Sequence, residues 1–266
     1  MEITVSGSVL TCMGIAMGVS LGLPFLYILT NRRKMMLVPV LIGILYYCVF
    51  SYLIAGYLSG GILSELGLSP WVYALVQAIV YGLVVTGGHY LAYKHLLKNR
   101  TGSGVPLSYA LGYSLVRLVL VGGAQMFSNI SLATAVNNNG VEKVASIVED
   151  TEEFYQLIRQ IADTPPHVYL LGGLEMICFF MITVSMSVLV WRAKEEKDMV
   201  ALIVSLAGAA VSAFVMELYS AGGTENIILT ESVYIAVAAA MTAYAYVTYR
   251  KTFGGPRYFA DPVSRF

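Results

Sequence analysis

Hydrophobic residues occur along the chain in seven long stretches that are separated by more polar segments. The stretches cover roughly residues 6–30, 36–57, 71–97, 107–135, 167–191, 199–219 and 228–249. Each has about the 20 mainly apolar residues that an α-helix needs to cross the hydrocarbon core of a bilayer. The pattern therefore predicts an all-α fold, a polytopic transmembrane bundle of about seven helices that forms a single transmembrane domain over residues 1–266.

Lysine and arginine are concentrated in alternate segments between these stretches and in the C-terminal tail. They are Arg32, Arg33, Lys34, Lys94, Lys98, Arg100, Arg192, Lys194, Lys197, Arg250, Lys251, Arg257 and Arg265. Short loops rich in Lys and Arg stay in the cytoplasm. The distribution predicts an N-terminus outside the membrane and a C-terminus in the cytoplasm.

The segment at about residues 137–166 is longer than the other connections and has a periodicity of its own. Its apolar positions recur at roughly helical spacing, with acidic residues between them. They are Val141, Val144, Val148, Phe154, Leu157, Ile158 and Ile161. We expect an extracytoplasmic amphipathic segment, which is either a lid over a site or, as we favour, a connector over the ends of the bundle.

Composition supports the membrane assignment and narrows the partners. Hydrophobic residues make up 58% of the chain and charged residues 12%, whereas about a quarter of an ordinary soluble domain is charged. Basic and acidic residues number 16 each, so no charge excess favours nucleic acid. We expect a multi-pass protein of the cell membrane whose first partner is the lipid bilayer.

Cysteine and histidine give no sign of a cofactor. Cys12, Cys48 and Cys178 fall in separate apolar stretches and are interpreted as small buried residues. The three histidines are scattered along the chain, and none has a second ligand at the spacing of a zinc motif. We therefore predict no metal and no other cofactor.

A row of glycines in the first stretch predicts close helix packing. Gly14, Gly18 and Gly22 are four residues apart and share one helix face. Such rows let a neighbouring backbone approach closely in a membrane. We interpret the row as a packing surface.

Two charges lie deep inside the predicted helices. Arg117 is ten residues into the fourth stretch, and Glu175 is eight residues into the fifth. Charges inside a membrane are costly and are candidates for function. Because the two residues reach similar depth, we expect a buried ion pair between Arg117 and Glu175 in preference to a ligand site.

Six short segments occur in an order that is also found in a known family of membrane proteins. In sequence order they are residues 69–75 (SPWVYAL), 88–98 (GHYLAYKHLLK), 109–112 (YALG), 126–129 (MFSN), 173–175 (GLE) and 187–190 (SVLV). These segments resemble the YhfC-type family, whose members are described as intramembrane metalloproteases. The resemblance covers about 190 residues, from residue 22 to residue 213. It implies a bacterial plasma-membrane protein in which histidines and acids from several helices hold a metal ion and its water.

The residues expected for that metal site are missing. The family motif Glu-Glu-x-Gly-Arg-Tyr corresponds here to residues 85–90 (VTGGHY), and Gly-His-Gly-Gly-x-Glu corresponds to residues 112–117 (GYSLVR). An expected histidine is Thr183, and a His-x-x-x-Asp pattern falls on Gly208 and Ser212. Arg117 puts a cation where an acid is expected, which would repel zinc.

Because the chain resembles the family but lacks the expected metal-ligating residues, we predict a pseudopeptidase. Such a divergent member would bind or escort a partner without hydrolysing it. The candidate pocket is formed by His89, Tyr113, Arg117 and Thr183. It would hold a transmembrane peptide, a lipid head group or an anion, and no residue is assigned as catalytic. One alternative is an active intramembrane peptidase with a site rebuilt from His89, Glu175 and other residues. Another is a small transporter or channel component, which an intramembrane Arg and Glu would suit.

Overall fold

The computed structural model describes residues 3–148 and 151–254, which form helices and no strand. The α-helices are α1 (Gly7–Asn31), α2 (Leu37–Tyr46), α3 (Pro70–Leu91), α4 (Gly104–Arg117), α5 (Met126–Asn139), α6 (Val141–Ala145), α7 (Thr151–Asp163), α8 (Pro166–Glu196), α9 (Met199–Ser220) and α10 (Ile227–Phe253). Seven helical segments of the described chain are long and apolar enough to cross a membrane. The predicted all-α, seven-helix transmembrane fold is confirmed, while its orientation stays a prediction.

Three of the membrane-spanning segments combine α-helix with wider π-helical turns. The span Leu37–Leu66 continues α2, Pro70–Leu96 continues α3, and Gly104–Asn139 joins α4 to α5. The second span therefore extends nine residues beyond the end predicted at residue 57. Ser59, Gly60 and Gly61 look like a loop in the sequence, but leucine and isoleucine around them keep the segment apolar.

Helix starts follow from local side-chain chemistry. Pro70 is at the first position of α3, where its missing N–H removes no helical hydrogen bond. The Asp198 carboxylate accepts a hydrogen bond from the Ala201 N–H (3.1 Å) at the start of α9. The Asn226 side chain accepts one from the Leu229 N–H (3.0 Å) at the start of α10. These caps satisfy backbone donors that a helix leaves free at its N-terminus.

By internal packing, the chain divides into two compact units. The first consists of Met1–Leu26 and Arg117–Ile177, and the second of Tyr27–Val116 and Cys178–Phe266. The assignment of residues 1–266 to a single domain stays a prediction.

The first unit is organised around the predicted amphipathic segment. Val141, Val144, Phe154, Ile158 and Ile161 are buried in one apolar cluster with residues of α1 and α5. Their helices, α6 and α7, thus turn an apolar face inward, as the periodicity predicts. Two other expected members of that face, at positions 148 and 157, are exposed.

An asparagine fixes the chain that enters α1. The Asn137 amide accepts a hydrogen bond from the Val5 N–H (2.9 Å) and donates one to the Val5 carbonyl (2.8 Å). A single side chain of α5 therefore satisfies both the N–H and the carbonyl of Val5. The pair attaches the N-terminal segment to the first unit.

The glycine row of α1 does not pack as predicted. A Cβ added to Gly14, Gly18 or Gly22 would meet no other atom within 4 Å. The packed face of this helix instead carries Ala16 and Ser20, which contact Gly173 and Gly122 respectively. The glycines that allow close approach are therefore Gly122 and Gly173 on the neighbouring helices. The prediction that the glycine row of α1 forms the packing surface is wrong.

Close helix contacts in the second unit depend on glycine. A Cβ on Gly112 of α4 would lie closer than 3.0 Å to backbone atoms of Val40 in α2. A Cβ on Gly82 of α3 would lie 3.0 Å from the Ala210 methyl group in α9. These contacts bring α2 against α4, and α3 against α9, at backbone distance.

The cysteines only partly match their interpretation as buried residues. Cys178 is buried, whereas Cys12 and Cys48 are half-buried and all three are free thiols. Cys48 lies in the span Leu37–Leu66, of which only a small part is covered by other helices. Part of the Cys48 side chain therefore faces away from the protein interior.

Candidate functional site

A cluster of rings fills the middle of the second unit where the candidate pocket was predicted. The His89 ring centroid lies 4.4 Å from that of Tyr113 and 5.1 Å from that of Tyr109. The Tyr93 ring is tilted by 54° against the Tyr109 ring, with centroids 4.9 Å apart. We call these four residues, His89, Tyr93, Tyr109 and Tyr113, the His89 cluster.

Helical spacing explains how the cluster forms. Tyr109 and Tyr113 are four residues apart on α4, and His89 and Tyr93 are four apart on α3 and its final turn. Side chains four residues apart share a helix face. Two pairs of rings on facing helices therefore interdigitate.

The hydrogen bond of His89 fixes the form of its imidazole. Nδ1 lies 2.9 Å from the Val85 carbonyl oxygen, which can only accept, so Nδ1 carries the proton. Nε2 of the neutral ring then has a free lone pair, and it is buried without a hydrogen-bond partner. The ring itself is 0% exposed. A carbonyl-bound Nδ1 with a free Nε2 is the arrangement of many histidines that bind metals.

Hydroxyl groups connect the cluster to neighbouring helices. The Tyr93 hydroxyl hydrogen-bonds to the Ser187 hydroxyl of α8, and Ser187 donates to the Pro106 carbonyl at 2.6 Å. Because Ser187 uses its proton on Pro106, Tyr93 is the donor of the first bond. The Tyr113 hydroxyl bonds to that of Ser51. These bonds connect four membrane-spanning helices of the unit around the rings.

The candidate residue Thr183 has a local role in the structure. Its hydroxyl donates to the Phe179 carbonyl at 2.8 Å within α8, and the side chain is buried. Ser187, one helical turn further along α8, makes the connection to the cluster instead. Assignment of Thr183 to a ligand pocket stays a prediction.

The residues of this region do not fit the metal that the resemblance implies. A catalytic zinc takes three protein ligands from histidine, cysteine and carboxylate side chains. The His89 cluster offers one imidazole and three phenols, and no group of three metal-ligating side chains occurs in the described part of the chain. At Gly208, where the family pattern has a histidine, a Cβ would already lie closer than 3.0 Å to the Met241 side chain.

Arg117 and Glu175 both belong to the first unit, and both are half-buried. Contacts of Gly122 with Met176 and of Gly172 with Met126 show that their helices run antiparallel. Glu175 is thus level with position 123, six residues beyond Arg117, or about 9 Å along the axis. The two side chains would have to reach toward each other, and their pairing stays a prediction.

The structure joins two of the four predicted pocket residues, His89 and Tyr113. Tyr93, Tyr109 and Ser187 were not predicted. The same-face rule could have found the two tyrosines, because each lies four residues from a predicted member on the same helix. Ser187 gives no comparable signal, since it contacts Tyr93 across 94 residues of sequence.

Comparisons with known proteins agree with the resemblance in the sequence. The profile of the family described as YhfC intramembrane metalloprotease matches residues 19–234. The uncharacterized membrane protein YhfC of Bacillus subtilis (strain 168) is 24% identical over 218 residues, which cover 80% of this chain and 84% of the relative. No solved structure matches the chain. The match to the family profile extends over most of the seven-helix fold, so the chain belongs to the YhfC intramembrane metalloprotease family.

Proposed function

We propose that this protein is a pseudopeptidase of the YhfC family, which binds or escorts a partner in the cell membrane without hydrolysing it. The observation that carries the proposal is the composition of the His89 cluster. One imidazole is surrounded by phenol rings where a metalloprotease needs several ligands and a metal-bound water. Peptide hydrolysis by the family's chemistry has no support from these residues.

The rings of the cluster are also closed to bulk water in the arrangement described. His89 is 0% exposed, and Tyr113 is 2% exposed. A ligand would reach the cluster only if these rings moved apart. The proposed ligands are a transmembrane peptide, a lipid head group or an anion, and the proposed pocket residues are His89, Tyr113, Arg117 and Thr183.

An active peptidase would use the same histidine differently. The free Nε2 of His89 is the one feature that favours this second candidate, because it is free to accept a metal or a proton. A pseudopeptidase would leave a bound peptide intact, whereas an active peptidase would cleave it.

Reconstitution separates the two candidates. The full chain is placed in vesicles with single-span test peptides that carry a photoreactive group, and zinc is supplied. The proposal expects peptides that cross-link to the protein at their full length. Cleavage products that require the protein and disappear with His89→Ala would contradict it and favour the active peptidase.

A further inference from the structure

The second unit contains an apolar groove of about 320 Å³ near one end of α1, α8 and α10. Its floor is formed by the Tyr27 ring, which meets Phe180 edge-on at 4.9 Å, and the Tyr27 hydroxyl donates to the Leu107 carbonyl at 3.4 Å. Val184 and Ala245 are among its apolar walls. We call this site the Tyr27 groove. Its volume is at the lower end of the range of about 300 to 1,000 Å³ for small-molecule sites.

The polar groups of the groove are concentrated at one end. Lys34 donates a hydrogen bond from Nζ to the Tyr249 hydroxyl at 3.1 Å, and its ammonium lies 5.6 Å from the Tyr249 ring centroid. Asn31, the last residue of α1, lines the same end. Lys34 lies between two membrane spans, Gly7–Asn31 and Leu37–Leu66. This end therefore lies at the level of the bilayer surface, and the apolar part extends into the membrane.

Lys34, the cation that lines this end, has surroundings unlike those of Arg192 at the end of α8. Arg192 forms ion pairs with Glu196 (3.2 Å) and Asp198 (2.8 Å). In residues 3–148 and 151–254, by contrast, no carboxylate lies within ion-pair distance of Lys34 or Arg250. Arg250 instead lies over the Tyr246 ring, 5.8 Å from its centroid. Lys34, which lines the groove beside an aromatic ring and has no carboxylate partner, is suited to bind an external anion. Arg250 adds positive charge next to the lining residue Tyr246.

We propose that the Tyr27 groove binds an anionic phospholipid, with its phosphate beside Lys34 and one acyl chain along Val184 and Ala245. A lipid has the same division into a charged end and an apolar chain as the groove. Basic sites between helices at the membrane surface commonly bind lipid phosphates. The long apolar wall distinguishes this occupant from free phosphate, which has nothing to place there.

The lining of the groove favours a hydrocarbon chain away from the polar end. Most of the lining side chains there are apolar, and Val184 and Ala245 are among them. The Ser185 hydroxyl in this part of the groove already donates to the Met181 carbonyl at 2.7 Å. A hydrocarbon chain needs no polar contact at this position.

Native mass spectrometry of the full chain can test the site with dioleoyl phosphatidylglycerol and dioleoyl phosphatidylcholine offered in equal amounts. We expect preferential retention of phosphatidylglycerol. Lys34→Ala should reduce that preference about fivefold, the effect of one cation near a membrane surface. Lys98→Ala, which removes an exposed cation outside the groove, should leave it unchanged. Equal retention of both lipids, or equal effects of the two variants, would overturn the proposal.

A second pair of variants tests the apolar part. Val184→Trp fills the groove and should reduce retention of both lipids, whereas Ile203→Trp on the exposed face of α9 should not. If Val184→Trp does not fold, the two exposed lysine variants still decide the question. A single-span peptide that displaces both lipids, and binds equally well to Lys34→Ala, would show a peptide site and refute the lipid proposal. None of these outcomes depends on whether the protein hydrolyses peptides.

Discussion

At the residue scale, His89 combines a metal ligand's hydrogen bonding with surroundings that do not complete a metal site. Its Nδ1–H is engaged by a backbone carbonyl, and its Nε2 is buried without a partner. The neighbouring Tyr109 hydroxyl is also buried without a hydrogen-bond partner. Unsatisfied buried groups typically cost about 1 to 3 kcal/mol each. Natural sequences keep such groups mostly at functional or strained positions.

Two tyrosines of the cluster should respond differently to loss of their hydroxyl groups. Tyr109→Phe removes a hydroxyl that has no partner, so stability should stay the same or rise. Tyr93→Phe removes the donor to Ser187 and should cost about 1 kcal/mol. Thermal unfolding midpoints in detergent measure both effects, and each variant is the control for the other. Equal losses would show that the two hydroxyls are bonded equally.

The predicted pair of Arg117 and Glu175 is tested by exchange of the two charges. Loss of either partner would leave an uncompensated charge inside the first unit, at a cost of about 3 to 5 kcal/mol. Arg117→Glu combined with Glu175→Arg should recover much of that loss. Unfolding of the two single variants and the double variant gives the coupling energy. A double variant no more stable than the singles would rule out the pair.

At the element scale, the long helices were predictable because each corresponds to one continuous stretch of about 20 mainly apolar residues. The hydropathy of residues 199–219 and 228–249 predicted both ends of α9 and the start of α10 to within one residue, whereas α10 ends at Phe253 instead of residue 249. The π-helical turns were not predictable, since their sequences have the same composition as the α-helices they continue. The partners of the glycine row were also beyond prediction, because glycine shows where an approach is possible and not which helix makes it.

Gly112 and Gly18 provide a direct comparison of a packed and an open helix position. A Cβ on Gly112 would collide with the Val40 backbone, which cannot rotate away, so Gly112→Ala should destabilise by about 1 to 3 kcal/mol. Gly18 has nothing within 4 Å, so Gly18→Ala should be neutral or stabilising by up to about 1 kcal/mol. Chemical unfolding in mixed micelles measures the difference. Equal effects would contradict the close contact between α2 and α4.

At the scale of the whole molecule, the family and the number of spans could be predicted, while the content of the site could be predicted only in part. The missing family ligands are visible in the sequence at positions such as Tyr113 and Thr183. The His89 cluster depends on contacts between helices far apart in sequence, such as Tyr93 with Ser187. Hydrophobicity predicts that a helix is buried but not which side chain it meets.

The predicted orientation of the molecule rests on its basic loops and can be tested by labelling. In a variant without native cysteines, Ser146→Cys should react with a membrane-impermeant maleimide in intact cells. Lys251→Cys should react only after the cells are opened. The predicted cytoplasmic tail beyond residue 254 lies outside the described residues, so the probe is placed just before it. The reverse pattern of labelling would overturn the assignment of an external N-terminus and a cytoplasmic tail.

The central claim, that the metal site of the family has been lost, is tested most directly by the zinc content of the purified protein. The chain is purified without metal chelators, equilibrated with zinc, passed through a desalting column and analysed by inductively coupled plasma mass spectrometry beside His89→Ala. Because one imidazole among phenols is too few ligands to retain zinc, the wild type should hold far less than one zinc per chain and no more than the variant. One zinc per chain in the wild type, lost in a folded His89→Ala protein, would contradict the claim.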